Sequence, residues 1–406
     1  MNSQQPFGRL RRLLGTTAGT LVLAAGLGTT AHAQTAEPCI GASWELTGAL
    51  AHTGLQIRYA VEVALDEINA AGGILGQQVT LRAYDDQGEP ARAVDNALRI
   101  GEQDNCVAML GGFRTPNAIA LREPLDEMGL PWMGVISAGT RVIEHETGEN
   151  NWMFRVSMKD RWVAPFLVEH AMARAPEGRI GLLYEATGWG QGAVPDVEAA
   201  MAEQGMELVA SETFNIGDTD MTAQLSRMRD AGVEAIVFYG VDREADGVLR
   251  SMQRIGFRPE IVSAWGIGGQ LGNTAGALAD GVLVAGTFSW WGELEPRAQA
   301  VLDAMVERFG LAGPQDLLLP SGTANAYDAI HIIAAALEIA GEFDREKLRE
   351  ALFEVSHEGI VANFDPAFER TMERHDAITP DAYRLLAFHE GILLPIEQTP
   401  FGDASN

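Results

Sequence analysis

The 406-residue chain has only two cysteines and eight histidines, and its 29 Lys plus Arg stand against 56 Asp plus Glu. That shortage of basic residues leaves a formal net charge of −27. A surface of that sign repels nucleic acid and anionic lipid, and it excludes broad electrostatic capture of a polyanion. Catalytic patterns are missing too. There is no HExxH or CxxC pair, no GxSxG elbow and no GxxxxGK[ST] phosphate loop, and the histidines are scattered. The glycines of WGIGGQLG, Gly266, Gly268 and Gly269, lack the spacing and the downstream acid of a dinucleotide site, so the stretch reads as a loop. These absences argue against an enzyme, a metal centre and a bound cofactor.

Long apolar runs are almost absent. The one exception lies in residues 9–33, RLRRLLGTTAGTLVLAAGLGTTAHA, where a basic start, an apolar stretch and Ala31-His32-Ala33 have the layout of a cleavable export signal. Residues 1–33 are therefore set aside from the fold. Arg11-Arg12 leaves a twin-arginine route open beside general secretion. Loss of Arg9, Arg11 and Arg12 with the signal takes the formal charge from −27 to −30. No later run approaches the roughly 20 residues of a membrane helix, and Cys39 follows Ala-Glu-Pro rather than a small apolar lipobox. The expectation is a free protein of the periplasm. In an oxidising space an even pair of cysteines points to a disulfide, with two unrelated thiols as the rival. Cys39 opens CIGASW and Cys106 opens CVAMLGG, so a bond is easy if those strands are parallel neighbours.

What the chain does have is alternation. CIGASW leads to a helix over GLQIRYAVEVALDEINAA, whose Ile57, Ala60, Val61, Ala64, Leu65 and Ile68 share one face. Asn69, Gly72 and Gly73 end that helix and QQVTLRAYDD follows as a strand. CVAMLGG and LPWMGVIS continue the pattern, and RIGLLYEA, MELVASETF, VEAIVFYG and EIVSAWG begin a second set with the same rhythm. Two α/β halves follow, each with a parallel sheet and crossover helices. No Pro/Ser-rich linker divides them, so several crossing strands should join them as a hinge. Asp85 and Asp86 end a strand just before a helix with Pro90 in its first turn. There they read as helix caps, with catalysis and metal binding as alternatives.

The segments ELTGALAHTG, ALDEINAAGGILGQQVTLRAYDD, GEPARAVDNA, AMLGG, PWMGVISAGT and NWMFRVSMKD together resemble the periplasmic leucine/isoleucine/valine-binding protein family, the type I solute-binding components of ABC importers. The likeness spans nearly all of the chain after the signal and weakens after Phe364. It implies two Rossmann-like lobes joined by three crossovers, with ligand held between them. The lobes would take residues 37–155 plus about 285–355, and 156–284 plus about 356–398, with 399–406 as a tail. In this reading the two aspartates are structural.

The same resemblance implies a site. Loops after the third and fourth strands, GGFRTPN and ISAGT, would bring Phe113, Arg114, Thr115, Ser137, Ala138, Gly139 and Thr140 to the cleft edge where open α/β sheets bind ligands. Small residues and hydroxyls there suit a carboxylate. Arg114 departs from the small hydroxyl residues common in the family; it either grips a carboxylate or pairs with a neighbouring acid. The second lobe would contribute Trp189, Asp242 and Trp265. Trp265 stands where amino-acid binders of the family often carry the acid that holds the ammonium, and only Asp242 is nearby in pattern to replace it. Phe113, Trp189 and Trp265 then fit a flat or bulky apolar ligand, with core packing as the rival role for each. Thr53, Trp290 and Trp291 are weaker candidates. The expected protein is a monomeric receptor for a small organic ligand, a carboxylate with an apolar or aromatic body or a branched-chain-type amino acid, delivered to the permease subunits of an ABC importer. The alternative is a sensor of the same fold that signals to a regulatory partner.

Overall fold

The structure is a computed structural model that describes residues 37–144, 151–371 and 374–402. The expected export signal and the end of the tail lie outside those residues. The first sheet contains β1 (Cys39–Trp44), β2 (Thr80–Asp85), β3 (Ala108–Gly111), β4 (Trp132–Gly134) and β5 (Met153–Arg155), all parallel, in the order β2-β1-β3-β4-β5. Every residue of β1 is buried, as an inner strand covered on both faces requires, whereas the edge strand β2 is only half-buried. Helices α1 (Ala51–Ala70), α2 (Pro90–Leu98), α3 (Thr115–Met128) and the short α4 (Thr140–Ile143) connect these strands. The face of α1 that carries Ile57, Ala60, Val61, Ala64 and Leu65 is buried. Gly73 closes the turn beyond α1 with φ +81° and donates its N–H to the Ile68 carbonyl at 2.9 Å. A Cβ at Gly73 would stand 1.9 Å from the Gln77 carbonyl oxygen.

After α5 (Asp160–Met172), the second sheet is built from β6 (Ile180–Glu185), β7 (Ala210–Phe214), β8 (Ala235–Tyr239), β9 (Glu260–Ser263) and β10 (Leu283–Gly286). Their order, β7-β6-β8-β9-β10, repeats that of the first sheet. Helices α6 (Gly188–Glu203), α7 (Thr222–Asp230), α8 (Asp242–Ile255) and α9 (Gly269–Ala275) alternate with them. The chain then returns through α10 (Pro296–Phe309), α11 (Pro320–Ala340) and α12 (Arg345–Leu352); α10 and α11 pack on α1, and α12 packs on α11. A two-stranded hairpin, β11 (His357–Glu358) with β12 (Asn363–Phe364), precedes the antiparallel pair β13 (Arg384–His389) and β14 (Ile392–Pro395), which extends the second sheet beyond β10.

The third passage between sheets falls later than the expected boundary at about 356. Arg155 at the end of β5 pairs in parallel with Asp376, its N–H donates to the His375 carbonyl at 2.8 Å, and the Ala377 N–H donates to the Arg155 carbonyl at 2.8 Å. Residues 375–377 thus add to the edge of the first sheet. Asp328 of α11 accepts the N–H groups of Ile360 and Val361 at 2.9 Å each, which holds the hairpin region on the same side.

The expected disulfide joins Cys39 to Cys106 at the shared end of β1 and β3, with the Cα atoms 4.7 Å apart. Asp85 and Asp86 differ from the expected helix caps. The N-cap of α2 is Glu89, without a side-chain bond. Asp85 instead accepts from Leu46 N–H (2.9 Å), Thr47 N–H (3.2 Å), Gln87 N–H (3.0 Å) and the Thr47 hydroxyl (2.5 Å). Burial pushes its carboxyl up, but those four donors outweigh burial and leave it below the usual carboxylate range. Asp86, fully buried, accepts from Ser43 Oγ at 3.1 Å and Gly88 N–H at 2.9 Å. Both aspartates brace the loops at the cleft end of β1 and β2.

Candidate functional site

In both sheets the strand order reverses direction beside the first strand, between β1 and β3 and between β6 and β8. Loops at such a switch point splay apart and leave a crevice at the carboxyl ends of the strands. The two crevices face each other across a cavity of about 710 Å³, counted with the part open to solvent. From the first lobe it is lined by Leu50 and Thr53 at the start of α1, Phe113 and Arg114 between β3 and α3, Thr115 and Pro116 in the first turn of α3, and Ile136 to Ala138 after β4. The second lobe brings Glu185 at the end of β6, Thr187 and Trp189 after it, Ile216 after β7, Val241 and Asp242 after β8, and Trp265 and Gly266 after β9. Leu318 and Leu319, just before α11, complete the wall.

Of the residues singled out in the sequence, Phe113, Arg114, Thr115, Ser137, Ala138, Trp189, Asp242, Trp265 and Thr53 come together here. Gly139 and Thr140 stand behind the wall. The Gly139 N–H donates to Thr115 Oγ1 at 3.3 Å, and the Thr140 hydroxyl donates to Asp196 at 2.7 Å while accepting the Arg161 N–H at 2.9 Å. Trp290 and Trp291 lie outside this cavity and line a neighbouring hollow that shares only Leu318 with it. Trp290 is buried, and its indole N–H donates to Thr323 Oγ1 at 2.7 Å.

The aromatic walls are fixed by close packing. Trp189 sits in the first turn of α6, where Thr187 Oγ1 caps the helix by accepting the Trp189 N–H at 3.2 Å. Its ring meets Tyr239 edge to face, with centroids 5.5 Å apart. Gly266 is required beside it: a Cβ there would stand 2.6 Å from the Trp189 ring and 2.3 Å from the Gly240 carbonyl oxygen. These contacts hold the Trp189 ring against the cavity wall.

Polar groups punctuate this apolar lining. Arg114 lines the cavity and donates from Nε to Glu45 Oε2 at 3.1 Å, which is the second of its two expected roles, pairing with a neighbouring acid. Ser137 Oγ is buried and has no partner among the described residues. Asp242 has a different occupation from the one expected. Its Oδ1 accepts the N–H groups of Gly268 (2.8 Å) and Leu271 (2.9 Å), which ties α8 to the loop that carries Trp265. Burial pushes its carboxyl up to about 7 against those bonds.

Glu185 is the acid that the sequence reading passed over, because it closes an otherwise apolar strand. It is only 5 % exposed, and its Oε1 accepts the Thr187 hydroxyl. Burial raises its carboxyl, opposed by Thr187 and by the charge of Arg114 across the cleft. Leu318 and Leu319 were equally hidden, in a segment with no strand or helix period.

Beneath the first-lobe loop lies a buried ion pair. Arg155 and Asp376 are both fully buried and meet at 2.5 Å, and Arg155 Nη1 also donates to the carbonyls of Ser137 (2.9 Å) and Gly139 (3.0 Å). Lys159 approaches Asp376 at 3.4 Å and also pairs with Glu144. Among the described residues no group of three or more His, Cys, Asp or Glu is placed to hold a metal ion. No described helix is long and apolar enough to cross a membrane.

This geometry has close parallels. The profile of the family described as "Periplasmic binding protein" matches residues 39–385. An "Amino acid binding protein" of Pseudomonas aeruginosa is 31 % identical over 340 residues, 82 % of this chain and 87 % of the relative. "Leu/Ile/Val-binding protein homolog 3" of Brucella melitensis is 27 % identical over 77 % of this chain and 82 % of its own. Among solved structures, a type 1 periplasmic binding protein from Bordetella pertussis superposes with a TM-score of 0.80 at 26 % identity, covering 89 % of this chain and all of that one. An isoleucine-bound substrate-binding protein of a branched-chain amino acid transporter from Streptococcus pneumoniae shares the fold, with a TM-score of 0.75 at 23 % identity over 88 % of this chain and 97 % of its own. These relatives are binding proteins rather than enzymes. The chain belongs to the periplasmic binding protein family.

Proposed function

We propose that this protein is an exported periplasmic receptor that closes its two lobes around a small organic solute and delivers it to the permease of an ABC importer. The solute carries a carboxylate on an apolar or aromatic body, which includes branched-chain-type amino acids. The observation behind this reading is the cavity itself: Phe113, Trp189, Trp265 and Leu318 supply apolar walls, and a few placed polar groups, Arg114, Thr115 and Ser137, face them from one side. The names of the relatives support the same class of ligand. Binding starts on the first lobe, through Thr115, Ser137 and the guanidinium. The second lobe then covers the body of the ligand with Trp189 and Trp265. Ligand shifts the open-to-closed equilibrium only as far as it binds the closed form better. Residues 1–33 serve as the export signal, and the receptor acts as a monomer.

Arg114 gives a direct test. Arg114→Ala should weaken an anionic or zwitterionic ligand by about 1.5 to 3 kcal/mol, the range for a hydrogen bond to a charged group. Titration calorimetry of the variant measures this, and an unchanged dissociation constant would remove Arg114 from the site.

A further inference from the structure

Resting on the receptor reading above, we propose that Thr140 and Asp196 form a latch outside the ligand cavity: their hydrogen bond ties the first lobe to the second, keeps a share of the ligand-free protein closed and slows the release of a bound solute. Neither residue lines the cavity. Both act on it through the walls that carry them, so they are positioning residues rather than ligand contacts.

Helix periodicity links the latch to the site. Trp189 and Asp196 both belong to α6, and a spacing of two turns puts them on one face, about 10 Å apart along the axis. One end of that face is cavity wall, and the rest runs along the first lobe. There α6 packs against α3 and α4, and a Cβ at Gly188 would stand 3.9 Å from Ile119 Cδ1 of α3. From the opposite side Thr140 opens α4, just beyond the cavity residues Ser137 and Ala138. Its hydroxyl donates to Asp196 Oδ2 at 2.7 Å and accepts the Arg161 N–H at 2.9 Å. Thr140 is buried and the Asp196 side chain is only 11 % exposed, so this charge-assisted bond is shielded from water.

Arg161, at the start of α5, closes the same seam. It pairs with Glu144 of the first lobe at 2.5 Å and approaches Asp196 at 3.8 Å, which keeps two acids on opposite sides of the seam from repelling each other. Burial raises the Asp196 carboxyl; the Thr140 hydroxyl and the charges of Arg161 and Lys159 oppose that rise, and the charge of Glu144 adds to it. Arg161 is half exposed, so solvent screens its ion pairs and the Thr140–Asp196 bond carries most of the latch. Swinging α6 away from α4 breaks that bond. The Asp160 N–H bond to the Ala138 carbonyl, 2.8 Å long, lies at the passage between the lobes and survives the swing. A bond made only in the closed form shifts the equilibrium toward closure, and its loss is read in the rate of release more than in the rate of capture.

The test compares wild type with Thr140→Val, Thr140→Ser and Asp196→Ala, each unfolded and refolded to strip carried ligand. Small-angle X-ray scattering without ligand should give a larger radius of gyration for Thr140→Val and Asp196→Ala, and the wild-type value for Thr140→Ser, which restores the hydroxyl. Asp196→Asn keeps the side-chain shape and a hydrogen-bond acceptor; it serves if Asp196→Ala does not fold, and should open the protein to a smaller extent. Stopped-flow tryptophan fluorescence with L-leucine and 3-phenylpropanoate as probes should then show release about 10-fold faster in Thr140→Val and Asp196→Ala, with capture within about 2-fold of wild type. Unchanged scattering in those two variants, an equal opening in Thr140→Ser, or an effect confined to capture would overturn the latch and leave the receptor reading standing. Failure of the wild type to bind either probe would count against the receptor reading, and the scattering would still decide the latch.

Discussion

Arg155→Ala is expected to destabilise the native protein by about 3 to 5 kcal/mol, the cost of breaking a fully buried ion pair. The loss has two parts. Among the described residues Asp376 keeps only Lys159, at 3.4 Å, as an ion-pair partner, and the carbonyls of Ser137 and Gly139 lose the Arg155 donor at 2.9 and 3.0 Å. Urea titration measures the first effect. Because those carbonyls belong to the loop that faces the ligand cavity, affinity should fall as well, even though Arg155 is not among the cavity-lining residues. Adding Asp376→Ala to Arg155→Ala should cost much less than a second independent loss, since the pair shares one interaction. A strictly additive double variant would mean that the two residues stabilise the protein separately.

Removing the disulfide should be of similar size. The bond between Cys39 and Cys106 closes a 67-residue separation at the end of the two central strands of the first sheet. For a loop of that length the chain-entropy estimate is about 4 kcal/mol. The double variant Cys39→Ala with Cys106→Ala is expected to unfold at correspondingly lower urea concentration, and reductant should shift the wild type but not the variant. Both cysteines are buried, Cys39 opening β1 and Cys106 just before β3, at the end opposite the carboxyl ends that face the cavity, so ligand affinity at low temperature should be little changed.

The fold was largely legible because its signals are local. Apolar periodicity marks α1, near-continuous apolar runs mark β1, β6 and β8, and glycines punctuate the turns between them. The cleft loops were legible once strand order was known, since the carboxyl ends of parallel strands are where such sheets bind. What stayed hidden depends on side-chain partners distant in sequence. Asp85 and Asp86 sit where helix caps belong, yet besides the nearby amides of Gln87 and Gly88 their donors are Leu46, Thr47 and Ser43, some 40 residues earlier. Asp242 looked free to meet an amine, but amides 26 and 29 residues ahead occupy its Oδ1. Glu185 carried no motif at all; only the facing of two sheets brings it to the cavity. The late passage at Asp376 was hidden for the same reason, because a single bridge to Arg155 defines it.

The central claim is that a small ligand binds between the two switch points, and thermal unfolding of refolded, ligand-stripped protein tests it most directly. The panel should span free amino acids, their amides, and aliphatic and aromatic carboxylates without an amine. A ligand present at 100 times its dissociation constant stabilises the native state by about 2.7 kcal/mol, a clear rise in melting temperature. The account predicts such a rise for at least one amino acid with an apolar side chain, and its loss in Trp189→Ala. A rise that persists undiminished in Trp189→Ala and in Trp265→Ala would place the ligand elsewhere and contradict the account.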